Sequence, residues 1–298
     1  MAILTVENLH KHYGPIQALK GISFSVPKGA VYGILGPNGS GKTTLLGIIL
    51  NVLKASSGSF KLFDEPATHV HRQQIGTLLE TPNFYHYLNA VQNLNIAAAI
   101  KQRGKADIDR VLELVNLEER KLSKFSTYSL GMKQRLAIAS SLLGDPDVLI
   151  FDEPTNGLDP VGIAETRELI KKLHKAGKTI IMASHLLDEV EKVCTHVAIL
   201  QKGTLLTDGH VDEILITDEI VETAAANMQQ LQSLLQHYPG AKKVSVNAPY
   251  VELTFAAGTA SLEALNQYCF AQGVTLYHLR LRKKSLETKF FELTQNIK

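Results

Sequence analysis

The chain has 298 residues, of which 45% are hydrophobic and 20% are charged; this composition argues against global disorder and fits one large domain or two ordinary ones. Lysine and arginine number 31 against 29 acidic residues, and the resulting net charge of +2 gives no electrostatic case for a nucleic-acid partner. The two cysteines, Cys194 and Cys269, lack CxxC spacing, which argues against a zinc site or a disulfide framework and favours a reducing compartment.

No apolar run in the sequence approaches the roughly 20 residues that a membrane-spanning helix needs. The N-terminus begins Met1-Ala2-Ile3-Leu4, soon reaches Glu7, and lacks the basic segment of a signal peptide. We therefore expect a cytoplasmic protein that acts at a membrane only through a partner.

In chain order, the first two thirds of the sequence alternate strands with helices. Apolar–polar alternation predicts two half-buried strands at the start, and an apolar run then predicts a buried strand that ends in a glycine-rich loop. The predicted strands are 3–9, 22–26, 30–35, 57–63, 75–79, 148–151, 178–183, 197–200 and 204–207, and the predicted helices are 44–53, 90–100, 107–117, 131–143, 160–175 and 186–193. This alternation predicts an α/β fold with substantial parallel pairing.

The character of the sequence changes near residues 214–218. The elements predicted from there to the C-terminus follow the order βαββαβα, which is typical of a small ferredoxin-like α+β domain. We therefore expect two domains, 1–216 and 217–298. No chemical motif falls in the second one.

The loop after the third predicted strand has the sequence GPNGSGKT and fits the pattern GxxxxGK[ST], between a buried strand and an amphipathic helix. Its glycines let successive N–H groups turn toward phosphates, and the helix that follows adds its positive N-terminal end. Lys42 supplies a positive charge for the β- and γ-phosphates, and the Thr43 hydroxyl can bind Mg²⁺. The predicted nucleotide-binding residues are Gly36, Pro37, Asn38, Gly39, Ser40, Gly41, Lys42, Thr43 and Thr44.

Two acids, Asp152 and Glu153, end an apolar strand further along the chain. The carboxyl ends of parallel strands line the ligand crevice, so both acids can face the phosphates. Successive strand residues point to opposite faces, which favours different roles for the two. We expect Asp152 to hold Mg²⁺ and Glu153 to act as the general base that activates water.

A further helix begins after Ser129, with Gly131 in its first turn. Ser129 is a good N-cap, so the free N–H groups of this helix end are either capped internally or available to an anion. The residues alone favour internal capping.

Together these motifs resemble the ATP-binding cassette (ABC) ATPases over about Ala2–Leu215. Residues 128–135 (YSLGMKQR) stand where that family carries its signature sequence, and 152–160 (DEPTNGLDP) resemble its Walker B and D-loop segments. Ser184-His185 resembles the segment of the switch histidine, and Tyr13-Gly14 the aromatic A-loop. The resemblance implies a P-loop NTPase cassette with a RecA-like core, a β-subdomain and a helical signature subdomain, followed here by the small α+β domain.

The resemblance also implies that two ATP molecules are enclosed between two cassettes, in a homodimer or a heterodimer. Ser129 and Gly131 of one cassette would then face the γ-phosphate bound to the other, and Asp159 would lie at the dimer seam. His185 would bind the γ-phosphate and act with Glu153 in catalysis, and Tyr13 would stack on adenine.

Two departures from the family pattern stand out. The signature has Leu130 and Met132 where glycine and glutamine are common, and Glu80 replaces the Q-loop glutamine. A glutamate at position 80 can still reach Mg²⁺ through an oxygen, but it carries charge and cannot donate an N–H. Segments 79–82 and 128–135 resemble those of the bacitracin-resistance and lantibiotic-immunity exporters, and the C-terminal extension resembles that of drug-resistance cassettes.

The resemblance therefore implies the Mg-dependent, ATP-hydrolysing subunit of a bacterial ABC exporter, peripheral on the inner face of the cell membrane. Its substrate would be a drug, an antimicrobial peptide or a lipid-like molecule, carried by a separate permease that docks on residues 80–94. The alternative is a soluble ABC ATPase that acts on ribosomes or nucleic acid. Against it stand a single P-loop and the absence of heptads between Lys42 and Ser129.

Overall fold

A computed structural model describes residues 1–79, 83–215, 218–282 and 285–295 of the chain. These residues belong to two compact units, Met1–Val211 and Asp212–Lys298. Each unit is described below by itself.

The strands of the first unit form two sheets. They are β1 (Ala2–Tyr13), β2 (Ile16–Pro27), β3 (Val31–Leu35), β4 (Ser57–Leu62), β5 (Glu65–Pro66), β6 (Ile75–Leu78), β7 (Val148–Asp152), β8 (Thr179–Ser184), β9 (His196–Gln201) and β10 (Thr204–His210). The main sheet has the order β10-β9-β3-β8-β7-β6, and its pairs are parallel except for β9 with the edge strand β10. The second sheet, β2-β1-β4-β5, is antiparallel.

The central strands of the main sheet are buried on both faces. Every residue of β3, β7 and β8 is buried, as expected for parallel strands covered by other elements on each side. The core between the two sheets contains the ring of Tyr32, which stacks on Phe24 of β2 with 5.5 Å between ring centroids. This packing fixes the carboxyl ends of β3, β7 and β8 side by side.

The helices of the first unit surround the main sheet and build the segment between β6 and β7. They are α1 (Lys42–Ile49), α2 (His69–Gln73), α3 (Ala90–Lys101), α4 (Ile108–Leu114), α5 (Leu130–Ser141), α6 (Pro160–Lys175) and α7 (Leu187–Glu191). The short helix α8 (Val211–Leu215) begins at the last residue of the first unit and continues into the second. Helix α6 has its predicted bounds; Pro160 occupies its first turn and three basic side chains its last. Helices α3, α4 and α5 contact one another.

The predicted order of strands and long helices is confirmed, and the differences lie in lengths and short elements. The first two strands extend to a tight hairpin in which Tyr13 pairs with Ile16. The predicted helix at 186–193 shortens to the five residues of α7. Strand β5 and helix α2 are too short to leave a periodic pattern, which is why the sequence did not reveal them.

The second unit has its own sheet and core. Its elements are β11 (Glu219–Ala225), α9 (Met228–Leu235), β12 (Ala241–Asn247), β13 (Tyr250–Phe255), α10 (Leu262–Ala271), β14 (Leu276–Arg282) and α11 (Leu286–Gln295), with an antiparallel sheet in the order β12-β13-β11-β14. Leu231, Leu235, Leu265 and Cys269 of α9 and α10 pack on it. The element order is the predicted one, and the ferredoxin-like assignment stays a prediction.

Within the part of the chain that the structure describes, no helix is both long enough and apolar enough to cross a membrane.

Gly76 gives a test of how helix α5 packs on the main sheet. A Cβ at Gly76 would lie 2.2 Å from the carbonyl oxygen of Ser141 in α5 and 2.8 Å from Leu149. We expect Gly76→Ala to lower the free energy of unfolding by about 1–3 kcal/mol through overpacking, measured by urea denaturation. Thr77→Ala, at the next and exposed position of β6, is the control. Equal stability of the two variants would contradict this seating.

Candidate nucleotide-binding site

The loop between β3 and α1 has a conformation that only glycine can adopt at two positions. Gly36 has a φ of 155°, and a Cβ there would lie 2.2 Å from the carbonyl oxygen of Leu200. Gly41 has a φ of 108°, and its Cβ would lie 2.8 Å from the carbonyl oxygen of Ala18. The motif glycines therefore let the backbone curl tightly against β2 and β9.

Two polar side chains, those of Lys42 and Ser40, lie in the interior of this loop. The Nζ atom of Lys42 donates to the carbonyl oxygen of Gly36 at 2.8 Å and approaches that of Pro37 at 3.4 Å, and the lysine is only 5% exposed. The Ser40 hydroxyl is buried next to Gly36 and has no hydrogen-bond partner among the described residues. A glycine-walled loop with a buried ammonium group and a free hydroxyl donor fits a phosphate group.

Glu153 and His185 approach this loop from β7 and β8. The Glu153 Oε1 atom lies 3.3 Å from Lys42 Nζ, and its Oε2 atom lies 2.8 Å from His185 Nδ1. The backbone N–H of His185 also donates to Oε2 at 3.4 Å. Because an ionised carboxylate only accepts, Nδ1 carries the proton in this contact, and Nε2 is the remaining polar atom of the ring.

The parallel sheet explains why these three residues meet. Strand β8 pairs with both β3 and β7, Leu35 lies opposite Ser184, and Asp152 lies opposite Ala183. The P-loop, the acidic pair and His185 each follow the carboxyl end of one of these strands, so they share one edge of the sheet.

The backbone turns sharply at Glu153, which changes the expected geometry of the acidic pair. Asp152 is the last residue of β7 and is 3% exposed, whereas Glu153 lies beyond the strand with a φ of 49°. The sequence suggested that strand alternation sets the direction of the Glu153 side chain. In the structure a left-handed turn sets it instead. A non-glycine residue in this conformation costs roughly 1–2 kcal/mol.

The remaining predicted residues of this loop differ in their exposure to solvent. Thr43 is exposed on the first turn of α1, and Thr44 beside it is half-buried. Pro37, Asn38 and Gly39 are exposed at the tip of the loop. Hydroxyl and carboxylate oxygens such as those of Thr43 and Asp152 are ligands that Mg²⁺ prefers, so this donor set fits the metal.

Ser129, Gly131 and Asp159 form a second group, and within the described ranges no hydrogen bond or ion pair joins them to the P-loop. Ser129 caps α5 by accepting the N–H of Met132 at 3.3 Å, and Asp159 caps α6 by accepting the N–H of Gly162 at 2.8 Å. A Cβ at Gly131 would lie 3.9 Å from Leu158, so the two helix starts are neighbours. Internal capping, the simpler alternative for Ser129, is what the single chain shows.

Tyr128, just before this helix start, anchors it to the segment after α4. Its hydroxyl donates to the carbonyl oxygen of Arg120 at 2.7 Å, and burial raises the pKa of the phenol, which the nearby Arg120 charge partly offsets. Tyr128 therefore stays a neutral donor at physiological pH.

Two other predicted site residues remain, of which the structure describes one. Tyr13 stands at the tip of the β1–β2 hairpin, is 44% exposed, and has Lys11 Nζ at 4.8 Å from its ring centroid. Glu80 lies outside the described residues. The roles of all these residues stay predictions.

Two features near the site were not visible in the sequence. Arg167 of α6 forms an ion pair with Glu189 of α7, at 3.0 Å, and nothing in the local sequence pairs side chains 22 positions apart. A groove of about 540 Å³ also lies between β6 and the helices α3 and α5. It is lined by Thr77, Leu78, Leu79, Asn83, Phe84, Tyr85, Asn93, Ile96, Ala97, Ile100, Ala137 and Ser140.

A comparison with protein families finds that a model described as ABC transporter matches residues 19–156. The uncharacterized ABC transporter ATP-binding protein YhcH of Bacillus subtilis is 37% identical over 302 residues, which cover 99% of this chain and 97% of YhcH. The bacitracin transport ATP-binding protein BcrA of Enterococcus faecalis is 40% identical over 71% of this chain and 70% of its own length. The lantibiotic transport ATP-binding protein SrtF of Streptococcus pyogenes is 37% identical over 70% of this chain and 92% of its own length.

Solved structures give the same family likeness. The cbiO1 protein of Clostridium perfringens, described as part of the ABC transporter complex cbiONQ, superposes with a TM-score of 0.65 at 31% identity, over 80% of this chain and 96% of cbiO1. The ATP-binding cassette MJ0796, in a dimeric post-hydrolysis state bound to ADP and Pi, gives a TM-score of 0.63 at 25% identity. That match covers 70% of this chain and 98% of the other.

Gly36 provides a test of the phosphate cradle. We expect Gly36→Ala to weaken binding of a fluorescent ATP analogue by at least about tenfold, because the added methyl group forces the loop away from Leu200. Titration followed by fluorescence measures this loss. Gly39→Ala is the control: its φ of 79° is strained, but a Cβ there meets nothing within 4 Å, so a smaller loss is expected. Unchanged affinity in Gly36→Ala would reject the cradle.

Proposed function

Since this chain belongs to the ABC transporter family, we propose that it is the ATP-hydrolysing subunit of a bacterial exporter whose permease is a separate polypeptide. The observation that carries the proposal is the contact of Glu153 with both Lys42 and His185 beside a glycine cradle. An ammonium group, a carboxylate and an imidazole at one sheet edge support this proposal, because hydrolysis of a nucleoside triphosphate requires a cation for the phosphates and a base for the attacking water.

Lys42 changes partners when ATP binds. Its ammonium group is shared between two loop carbonyl oxygens and the Glu153 carboxylate. Phosphate oxygens carry more negative charge than one carboxylate, so Lys42 turns to them, together with the loop N–H groups and the Ser40 hydroxyl. Glu153 then loses its cation and is free to accept a proton from the attacking water.

His185 keeps the base in place during this exchange. Its Nδ1–H and its backbone N–H both donate to the same oxygen of Glu153, which orients the carboxylate. A contact of the opposite ring atom, Nε2, with an oxygen of the γ-phosphate needs an N–H there as well, so in the ATP-bound state the ring would be the imidazolium and both nitrogens would donate. Tyr13, exposed at its hairpin tip, is the residue we assign to adenine.

Bound Mg²⁺ would neutralise phosphate charge, with Thr43 and Asp152 as its protein ligands and Glu80, from the sequence alone, as a third. Asp152 suits this role because its carboxylate lies at the end of β7 and is more deeply buried than that of Glu153, the next residue.

The second half of each site comes, in this proposal, from another cassette. Ser129, Gly131 and Asp159 lie at the starts of α5 and α6, and among the described residues no hydrogen bond or ion pair joins them to the P-loop of their own chain. A helix N-terminus attracts phosphate, so the start of α5 can complete the site of a partner, either a second copy or a related cassette. The dimeric state of MJ0796 supports this arrangement.

The permease would dock in the groove beside α3. The groove has apolar walls formed by Leu79, Phe84, Ile96 and Ile100, with Asn83 and Asn93 among them, which suits an amphipathic helix of a partner. Docking there would place the cassette at the cytoplasmic face of the membrane. The names of BcrA and SrtF favour an antimicrobial peptide, or a similar drug or lipid-like molecule, as the exported substrate.

The variant Glu153→Gln tests the assignment of the base. The amide still accepts from His185 but cannot take a proton, so we expect ATP binding to persist and the turnover number to fall by at least about 10²-fold. ATP should also hold the variant as a dimer, seen by size-exclusion chromatography with light scattering. Parent-like turnover would reject Glu153 as the base. Lys42→Ala, which lacks the phosphate-binding cation, is the matched control and should neither bind ATP nor dimerise.

Purification from native membranes tests the transport role. A tagged protein from gently solubilised membranes should bring down a multi-span permease in stoichiometric amount. Ala97→Trp fills the groove and should abolish this recovery with the ATPase activity retained, whereas Ala99→Trp, at an exposed position of α3 outside the groove, should not. Recovery of ribosomes or nucleic acid without a membrane protein would overturn the transport role and favour the soluble alternative.

A further inference from the structure

We propose that Arg167 and Glu189 act together as positioning residues for His185, by holding the short helix α7 against the long helix α6. The inference rests on the proposed function, in which His185 orients Glu153 and serves the γ-phosphate. Neither residue belongs to the motifs that led to the candidate site.

Helix α7 buries little of its own surface. It contains five residues, has no side-chain N-cap, and buries only Val190. Val190 packs over β3 at Gly33, where a Cβ added to Gly33 would lie 2.7 Å from the Cγ1 atom of Val190. So short a helix has little stability of its own, and its position therefore depends on the side chains that join it to its neighbours. His185 lies two residues before its start, so the position of α7 sets the position of the imidazole.

The ion pair joins α7 to α6. Arg167 Nη1 lies 3.0 Å and 3.3 Å from the two carboxylate oxygens of Glu189, and the side chains are only 23% and 16% exposed. Partial burial reduces the screening that weakens exposed pairs. Glu168 lies 3.8 Å from Arg167 but is 66% exposed, and Lys192 contacts Glu189 from three positions further along the same segment. Neither of these joins α7 to another helix.

The pair joins α7 to a firmly seated element. Helix α6 has 16 residues, buries Leu169, Ile170 and Leu173, and starts at the Asp159 cap. The ring of His185 is therefore constrained at two points: directly by Glu153 at 2.8 Å, and through α7 by the Arg167–Glu189 pair. A displacement of about 1 Å at a reacting group can cost on the order of 10²-fold in rate.

Variants of the full-length ATPase test this role through the separation of kcat from KM. We expect Arg167→Ala and Glu189→Gln each to lower kcat on the order of tenfold, because the imidazole is less well placed. The KM and the nucleotide Kd should stay within about twofold, since neither residue contacts the P-loop. Arg167→Lys should keep part of the rate, and the exchange R167E/E189R should recover most of it.

Lys171→Ala is the matched control. It removes the exposed contact of Lys171 with Glu168 on the same helix, at 3.1 Å, and should leave kcat at the parent value. If Arg167→Ala fails to fold, Glu189→Gln provides the same comparison.

Combination with His185→Ala separates positioning from a general structural effect. If the pair acts through His185, Arg167→Ala should change kcat little in that background. An equal further loss in both backgrounds, or a lower melting temperature with parent kcat, would overturn the positioning role. If the parent protein has no ATPase activity, both the proposed function and this inference are overturned. If the parent is active and the Arg167 and Glu189 variants all keep its kcat, only this inference is overturned.

Discussion

The Glu153 carboxylate lies between an ammonium group and an imidazole, and the arrangement of the site depends on these two contacts. One oxygen is held by Lys42 and the other by His185, so the carboxylate has both a counter-ion and a fixed orientation without any substrate. The contacts exist because three adjacent parallel strands, β3, β8 and β7, end at the same edge of one sheet. Their complete burial makes that edge rigid, since interiors packed at this density transmit strain and do not absorb it.

Much of the core could be predicted because its signals are local. Two features marked the P-loop: its glycines, and a buried strand ahead of it. The acids at 152–153 were marked by the apolar run that precedes them, and the order of long elements followed from periodicity. The left-handed turn at Glu153 was not predictable, because glutamate carries no signal for that conformation and the surrounding sheet imposes it. The Arg167–Glu189 pair was not predictable either, since the two charges meet only after α6 and α7 have packed. The short elements β5 and α2 lack the length that a period needs.

The cap residues show how the same groups can serve two purposes. Ser129 and Asp159 each satisfy an N–H group of their own helix, as helix starts require. Each cap side chain accepts a hydrogen bond from one N–H group of its helix, Met132 in α5 and Gly162 in α6. The partial positive charge at the N-terminus of α5 therefore remains in the folded chain. In the proposed dimer this end meets phosphate from the other cassette, and capping and anion binding then cooperate. In this proposal the single chain offers only half of the groups that enclose a nucleotide.

The left-handed backbone at Glu153 has an evolutionary consequence. Glycine or asparagine would adopt a φ of 49° with less strain than glutamate, but either residue would remove the carboxylate that faces the buried ammonium group of Lys42. Backbone strain and the ion pair therefore have opposite effects on the stability of the folded chain. In the proposed function the glutamate is also the base, so a cassette that had become a passive scaffold would lose one of the two reasons to keep a glutamate at this turn.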